Sequence, residues 1–171
     1  MAAFALCLTG SFELRNAGLG VFAPFAESKP DDWLRMIDAN LLGLLACTKA
    51  AIPLMRDRPG AMIASVSSTG GRYGVEGWSV YCATKYAVVG FNETLRKELG
   101  ADGIRVTVIE PGAVWTEFGH NVSAQALCER RESLDALTAD DVAQSLIYAF
   151  AQHPRVHVQE ILIRPVKQIA P

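Results

Sequence analysis

The chain of 171 residues, 50% hydrophobic and 20% charged, has the size and make-up of one globular domain, read here as residues 1–171, and leaves little room for a second. Its formal net charge of -2, with 16 Lys and Arg scattered rather than clustered, argues against nucleic acid and for small, weakly charged partners. The four cysteines Cys7, Cys47, Cys82 and Cys128 form no C-x-x-C pair, and His120, His153 and His157 complete no metal-ligand pattern, so free thiols and no metal are expected.

The opening MAAFALCL lacks the basic leading region of a secretory signal, and no later apolar run is read as membrane-spanning; a soluble cytoplasmic protein is the expectation. From about Pro30 to Met55 the apolar residues Trp33, Leu34, Ile37, Leu41, Leu44 and Leu45 recur at helical spacing. Ser28 is the candidate cap, Pro30 stands near the start, a bend is expected around Asn40, and Pro53 weakens the last turns. The Arg58-Pro59-Gly60 turn releases the chain into AMIASVSS, read as a buried strand, and a Gly-rich loop follows from Gly70 to Gly77.

A second helix is predicted from about Ser79 to Leu99, ending at the Gly100 to Gly103 turn, and IRVTVIEP reads as a second buried strand that stops by Pro111. Residues Glu117 to Leu137 read as a loop. LTADDVAQSLIYAF opens with Thr138 and two aspartates, a helix start, and EILIRP reads as a last strand. This alternation implies an α/β fold, a parallel sheet covered by helices and built with right-handed crossovers.

Within the second helix, YCATK puts Tyr81 and Lys85 four residues apart, hence on one face, where an ammonium favours the phenolate and brings a phenol of ordinary pKa about 10 towards working pH. That pairing suits acid-base chemistry. Ser68 lies at the carboxyl end of the AMIASVSS strand, where ligands of parallel sheets bind, and can donate to a substrate oxygen. Taken singly, each of these residues reads as well as a capping serine, a buried asparagine or a surface tyrosine–lysine pair.

Together, Asn40 in DANLLG, Ser68 in SVSSTGG, Tyr81 and Lys85 in YCATK, and Pro111-Gly112 in IEPGAVWTEF resemble the short-chain dehydrogenase/reductase family in order and separation, from Asn16 onward. The resemblance implies a Rossmann-like three-layer parallel sheet with helices on both faces. It implies an oxidoreductase that interconverts an alcohol and a carbonyl, by hydride transfer to or from NADP or NAD. Tyr81 is then the acid or base at the substrate oxygen, and Lys85 lowers its pKa and holds the nicotinamide ribose. Ser68 polarises the carbonyl, and Asn40 supports the water through which Lys85 relays a proton. Pro111, Gly112, Val114 and Thr116 match the stretch along the nicotinamide. Asn16, Ala17 and Gly18 match the end of the NNAG motif, with Arg15 where its first Asn is expected. The stretch from LTADDVA to HVQEILIRP resembles a subgroup of 3-hydroxy acid and small-alcohol dehydrogenases, many preferring NADP. No substrate contact is assigned to His120, Gln125, Arg130 or Arg131.

The family's Gly-rich TGxxxGxG turn, whose backbone N–H groups and helix N-terminus hold a pyrophosphate, has no counterpart here. FALCLTGS resembles its first strand and leading Thr-Gly, yet by Asn16 the sequence has reached the fourth-strand NAG. The expectation is a chain truncated at its N-terminus or lacking a block of roughly 70 to 80 residues near Ser11. Residues 1–11 are then a remnant first strand or unrelated sequence. Two functions stay open: an active oxidoreductase on a small alcohol or carbonyl, or a non-catalytic remnant that associates with other subunits. The resemblance also implies a homo-oligomer, dimer or tetramer, joined through the two long helices.

Overall fold

The computed structural model describes residues 5–8, 12–16 and 18–170, with 5–8 and 12–15 described by backbone alone. Five strands form one sheet in the order β1 (Ala5–Leu8), β2 (Phe12–Arg15), β3 (Met62–Val66), β4 (Arg105–Pro111) and β5 (Glu160–Ile163). Strands β2 to β5 are parallel, with Leu14 beside Ala64, Ala64 beside Thr107, and Ile109 beside Ile161. β1 is antiparallel to β2, pairing Ala5 with Arg15 and Leu8 with Phe12. This departs from the parallel first strand read into FALCLTGS: the chain leaves β1 at the amino end of β2, the end away from Asn16. Thr9, Gly10 and Ser11 lie outside the described residues.

The two faces of β3 and β4 explain the three layers. Side chains alternate along a strand, so Ile63 and Val106 face one way and Met62 and Ala64 the other. The first face is covered by α2 (Gly43–Met55) and α3 (Ser79–Leu99) through Ala51, Met55, Leu95 and Leu99. The second is covered by α5 (Ala139–Phe150), whose Ala149 and Leu146 meet Met62 and Ala64. Fully buried side chains such as Met55 and Ile63 each contribute about 1.5 to 3 kcal/mol by leaving water. β4 is buried along its whole length, as a strand covered on both faces must be.

Before α2 the helix runs as α1 (Pro30–Ile37) and then a π-helical segment, Asp38–Leu42, centred on Asn40. The expected bend is thus a π-turn, a feature frequent at functional sites. Ser28 does not cap α1. Lys29 holds that position without a side-chain bond, and the Ser28 hydroxyl instead donates to the Phe25 carbonyl and accepts from Trp33 Nε1. The 26 residues of Pro30–Met55 are long and apolar enough to cross a membrane by length and composition, which corrects the reading that no run reaches that length. The apolarity is explained in part by packing, since Leu44, Ala51 and Met55 sit on the sheet.

The stretch read as a loop from Glu117 to Leu137 contains α4 (Ala124–Leu134), started by Ser123, whose hydroxyl accepts from the Ala126 N–H. Thr138 starts α5 as its sequence predicts, in a reciprocal cap with Asp141.

Candidate active site

The carboxyl ends of the parallel strands open onto a cavity of about 500 Å³. Of the residues singled out in the sequence, Asn16, Gly18, Ser68, Tyr81, Lys85, Pro111, Gly112, Val114 and Thr116 line it. Ala17 lies outside the described residues. Asn40 stands behind the wall, 3% exposed.

β3 ends at Val66 and delivers Ser67 and Ser68. Ser67 Oγ donates to the Lys85 carbonyl at 3.0 Å, tying the strand end to α3. Ser68 starts a single 3-10 turn, Thr69–Gly71, its hydroxyl accepting from the Gly70 N–H at 3.1 Å. The turn lies so close to α3 that a methyl group on Gly71 would stand 2.5 Å from Ser67 Oγ and 2.9 Å from the Lys85 carbonyl oxygen. Only a residue without Cβ fits there.

On α3, Tyr81 and Lys85 share the face turned to the cavity, as their spacing predicts, with the Lys85 ammonium 5.8 Å from the centre of the Tyr81 ring. Lys85 is 4% exposed, and its Nζ donates to the Val66 carbonyl at 3.0 Å, its one hydrogen bond to a described residue. Burial lowers the Lys85 pKa to about 8. Burial pushes the Tyr81 phenol up to about 12, and hydrogen bonding to Ser68 works against that rise.

Asn40 holds Leu19 by its backbone. Oδ1 accepts the Leu19 N–H at 2.7 Å, while Nδ2 donates to the Leu19 carbonyl at 2.8 Å and to Thr84 Oγ1 at 2.9 Å. The π-segment, the stretch after β2 and α3 are joined at this one amide. Its side chain reaches Leu19 and Thr84 rather than Lys85 directly. A Cβ on Gly18 would stand 3.6 Å from Lys85 Nζ and 4.0 Å from Asn40 Oδ1, so the bare backbone leaves a cradle open beside the ammonium.

The far wall comes from β4 and the residues after it. The Gly112 N–H donates to the Ile163 carbonyl at 2.7 Å, and Gln168, 5% exposed, accepts from the Ala113 N–H at 2.9 Å. Gln168 was not singled out in the sequence, nor were Trp78 and Phe118. These two rings stack with centroids 5.9 Å apart, and Phe118 lies 5.1 Å from the Tyr81 ring, making one aromatic side of the cavity. Of the four polar loop residues left unassigned, Arg130 and Arg131 line the cavity; His120 and Gln125 do not. Among the described residues neither guanidinium pairs with a carboxylate, and Arg131 donates to the Phe118 carbonyl at 3.4 Å and lies over the Trp115 ring.

The profile of the short chain dehydrogenase family matches residues 14–127, a span that carries Asn40, Ser68, Tyr81, Lys85 and Pro111-Gly112. The chain belongs to the short chain dehydrogenase family. It is 35% identical over 159 residues to an uncharacterized oxidoreductase of Staphylococcus saprophyticus, a match covering 91% of this chain and 65% of that protein. It is 33% identical over 160 residues to the NADP-dependent 3-hydroxy acid dehydrogenase of Schizosaccharomyces pombe, covering 91% and 61%. Among solved structures, the closed form of serine dehydrogenase complexed with NADP+ superposes with a TM-score of 0.88 at 32% identity, covering 94% of this chain and 66% of that one. The chain therefore spans less than two thirds of the length of these short chain dehydrogenase relatives.

Proposed function

We propose that this short chain dehydrogenase interconverts an alcohol and a carbonyl with a nicotinamide cofactor, NADP before NAD, and that its substrates are small hydroxy acids or the corresponding oxo acids. The observation that carries the reading is the convergence of Tyr81, Ser68 and Lys85 on one cavity at the carboxyl end of the sheet. Tyr81 gives or takes the proton at the substrate oxygen, and Ser68 orients that oxygen by hydrogen bonding. Lys85 keeps the site cationic beside the phenol, with Asn40 holding the backbone next to it.

The residues present fit the nicotinamide–ribose end of such a cofactor. A buried ammonium with a single described acceptor faces the cradle at Gly18, and Pro111, Gly112, Val114 and Thr116 line the opposite wall. When bound, the nicotinamide supplies hydride-transfer chemistry. The preference for NADP is supported by the names of the fission-yeast relative and the serine dehydrogenase complex, and the acid substrate by those names together with Arg130 and Arg131, which line the cavity and pair with no carboxylate among the described residues.

The test is thermal. Millimolar NADPH gives a saturable rise in the melting midpoint, because a ligand that binds only the folded chain stabilises it by mass action. Tyr81→Phe keeps that rise and loses turnover by at least about a hundredfold. No rise at any concentration, in the full chain, sinks the proposal.

A second reading, association without catalysis, is favoured by the apolar residues left at the surface, including Leu34 at 66% exposed, Leu54 at 60% and Ile147 at 56%. On that reading the chain is a homodimer or homotetramer whose melting midpoint ignores nicotinamide. A strict monomer on sizing removes it.

A further inference from the structure

Four residues beyond Ser68, Arg72 closes the 3-10 turn and sends its side chain away from the cavity. Its Nε donates to both carboxylate oxygens of Glu110, at 2.9 and 3.0 Å, and its Nη2 stands 2.5 Å from Glu160 Oε2. Glu110 is 1% exposed and lies on β4 directly before Pro111-Gly112; Glu160 is the first residue of β5. The Arg72 backbone is held as well. Its N–H donates to the Thr69 carbonyl at 3.0 Å, and its carbonyl accepts the Tyr86 hydroxyl from α3, one residue past Lys85.

A carboxylate buried in a strand covered on both faces is costly unless it is paired, and removing its partner is more costly still. Burial raises the Glu110 carboxyl, and Arg72 works against that rise. So the pairing binds the end of the Ser68 turn firmly to the two strands that carry the far wall of the cavity. The turn has no other ion pair to a strand among the described residues. Ser68 at its start lines the cavity with Tyr81, and a Cβ on Gly70 between them would stand 3.4 Å from Tyr81 Cε1 and 3.5 Å from Ser68 Oγ, so the register of the turn sets where the Ser68 hydroxyl stands relative to the phenol.

We propose that Arg72, locked between Glu110 and Glu160, is a positioning residue that holds the Ser68 hydroxyl on Tyr81. This rests on the reading of Tyr81 and Ser68 as the reacting pair, and it is tested by a signal that does not need turnover. In the full chain labelled with [13Cζ]tyrosine, the Tyr81 resonance is assigned by its loss in Tyr81→Phe, and Ser68→Ala gives its position without the serine. Arg72→Met moves the resonance at least half of the way from wild type to the Ser68→Ala position. In turnover assays it lowers kcat about 10- to 100-fold, as a misplacement of about 1 Å does, with KM for NADPH within about twofold of wild type.

Arg72→Lys keeps a cation beside Glu110 but cannot span both carboxylates, and it moves the resonance in the same direction by less. It decides the matter alone where Arg72→Met does not fold. A Tyr81 resonance that stays at its wild-type position in a folded Arg72 variant overturns the proposal, whatever happens to stability. Absence of turnover in the wild-type chain, with the resonance moving as expected, counts instead against the proposed function and leaves the positioning role supported.

Discussion

The Lys85 ammonium donates to the Val66 carbonyl oxygen at 3.0 Å, across the joint between α3 and the end of β3. One neutral acceptor does not replace the water that a buried ammonium has lost, which is why burial lowers its pKa to about 8 from an ordinary value of 10.5. A lysine whose folded pKa is lowered costs stability wherever it is charged in both states, and that cost is relieved between pH 8 and 10.5, where the unfolded chain holds more protons. Lys85→Met is therefore more stable than wild type at pH 7, with an electrostatic gain on the order of 3 kcal/mol that fades as pH rises through 8 towards 10.5. Urea unfolding of both proteins at pH 7, 8.5 and 9.5 measures the difference. A stability gap that does not change with pH excludes a depressed Lys85.

Gly71 tests the close approach of the Ser68 turn to α3. Gly71→Ala forces Ser67 Oγ and the Lys85 carbonyl apart from a methyl group that would otherwise lie 2.5 and 2.9 Å away. Overpacking of this kind destabilises by roughly 1 to 3 kcal/mol. The midpoint of chemical unfolding falls accordingly, and because the clash is at Lys85 the NADPH-dependent rise in melting midpoint shrinks with it. Wild-type stability in the alanine variant shows that the turn is not tightly packed.

Asn40 carries a different load. Asn40→Ala strips partners from the Leu19 N–H and carbonyl together, and each buried group left without a partner costs about 1 to 3 kcal/mol. Asn40→Asp returns an acceptor for the N–H, and when protonated also a donor for the carbonyl, whereas its ionised form sets a buried charge against that carbonyl. Thermal unfolding therefore places Asp nearer to wild type at acid pH than at neutral pH, while the deficit of Ala relative to wild type does not change in that way. An Asp deficit that does not grow as pH rises contradicts the pairing of Asn40 with the Leu19 backbone.

The arginines at the cavity are tested by comparing substrates rather than stabilities. Arg130→Ala and Arg131→Ala raise KM for a hydroxy acid by about tenfold or more, the loss expected when a hydrogen bond to a charged group is removed. KM for an uncharged alcohol of the same size is unaffected. Parallel effects on both substrates exclude a carboxylate contact.

What the sequence made legible was local. Tyr81 and Lys85 lie on one uninterrupted helix, and Ser68 ends an apolar strand, so spacing alone carries them to one place. Trp78, Phe118 and Gln168 come from separate stretches and meet only through the fold, so no pattern joins them. Glu110 did leave a trace, since IRVTVIEP carries two charges, Arg105 and Glu110, in a strand read as buried, and each calls for a partner. α4 has no buried residue and thus no apolar stripe to announce it. The direction of β1 was not readable, because four apolar residues fit a strand equally well in either sense. Ser28 was misread because its hydroxyl had two nearer partners in Phe25 and Trp33.

That direction has a practical side. β1 begins at Ala5, beside Arg15 and hence next to Asn16 at the cavity, and ends at Leu8, beside Phe12 on the opposite rim of the sheet. A fluorophore attached at Ala5 is thus carried on the rim of the sheet where the cavity opens, and one attached at Leu8 on the rim away from it.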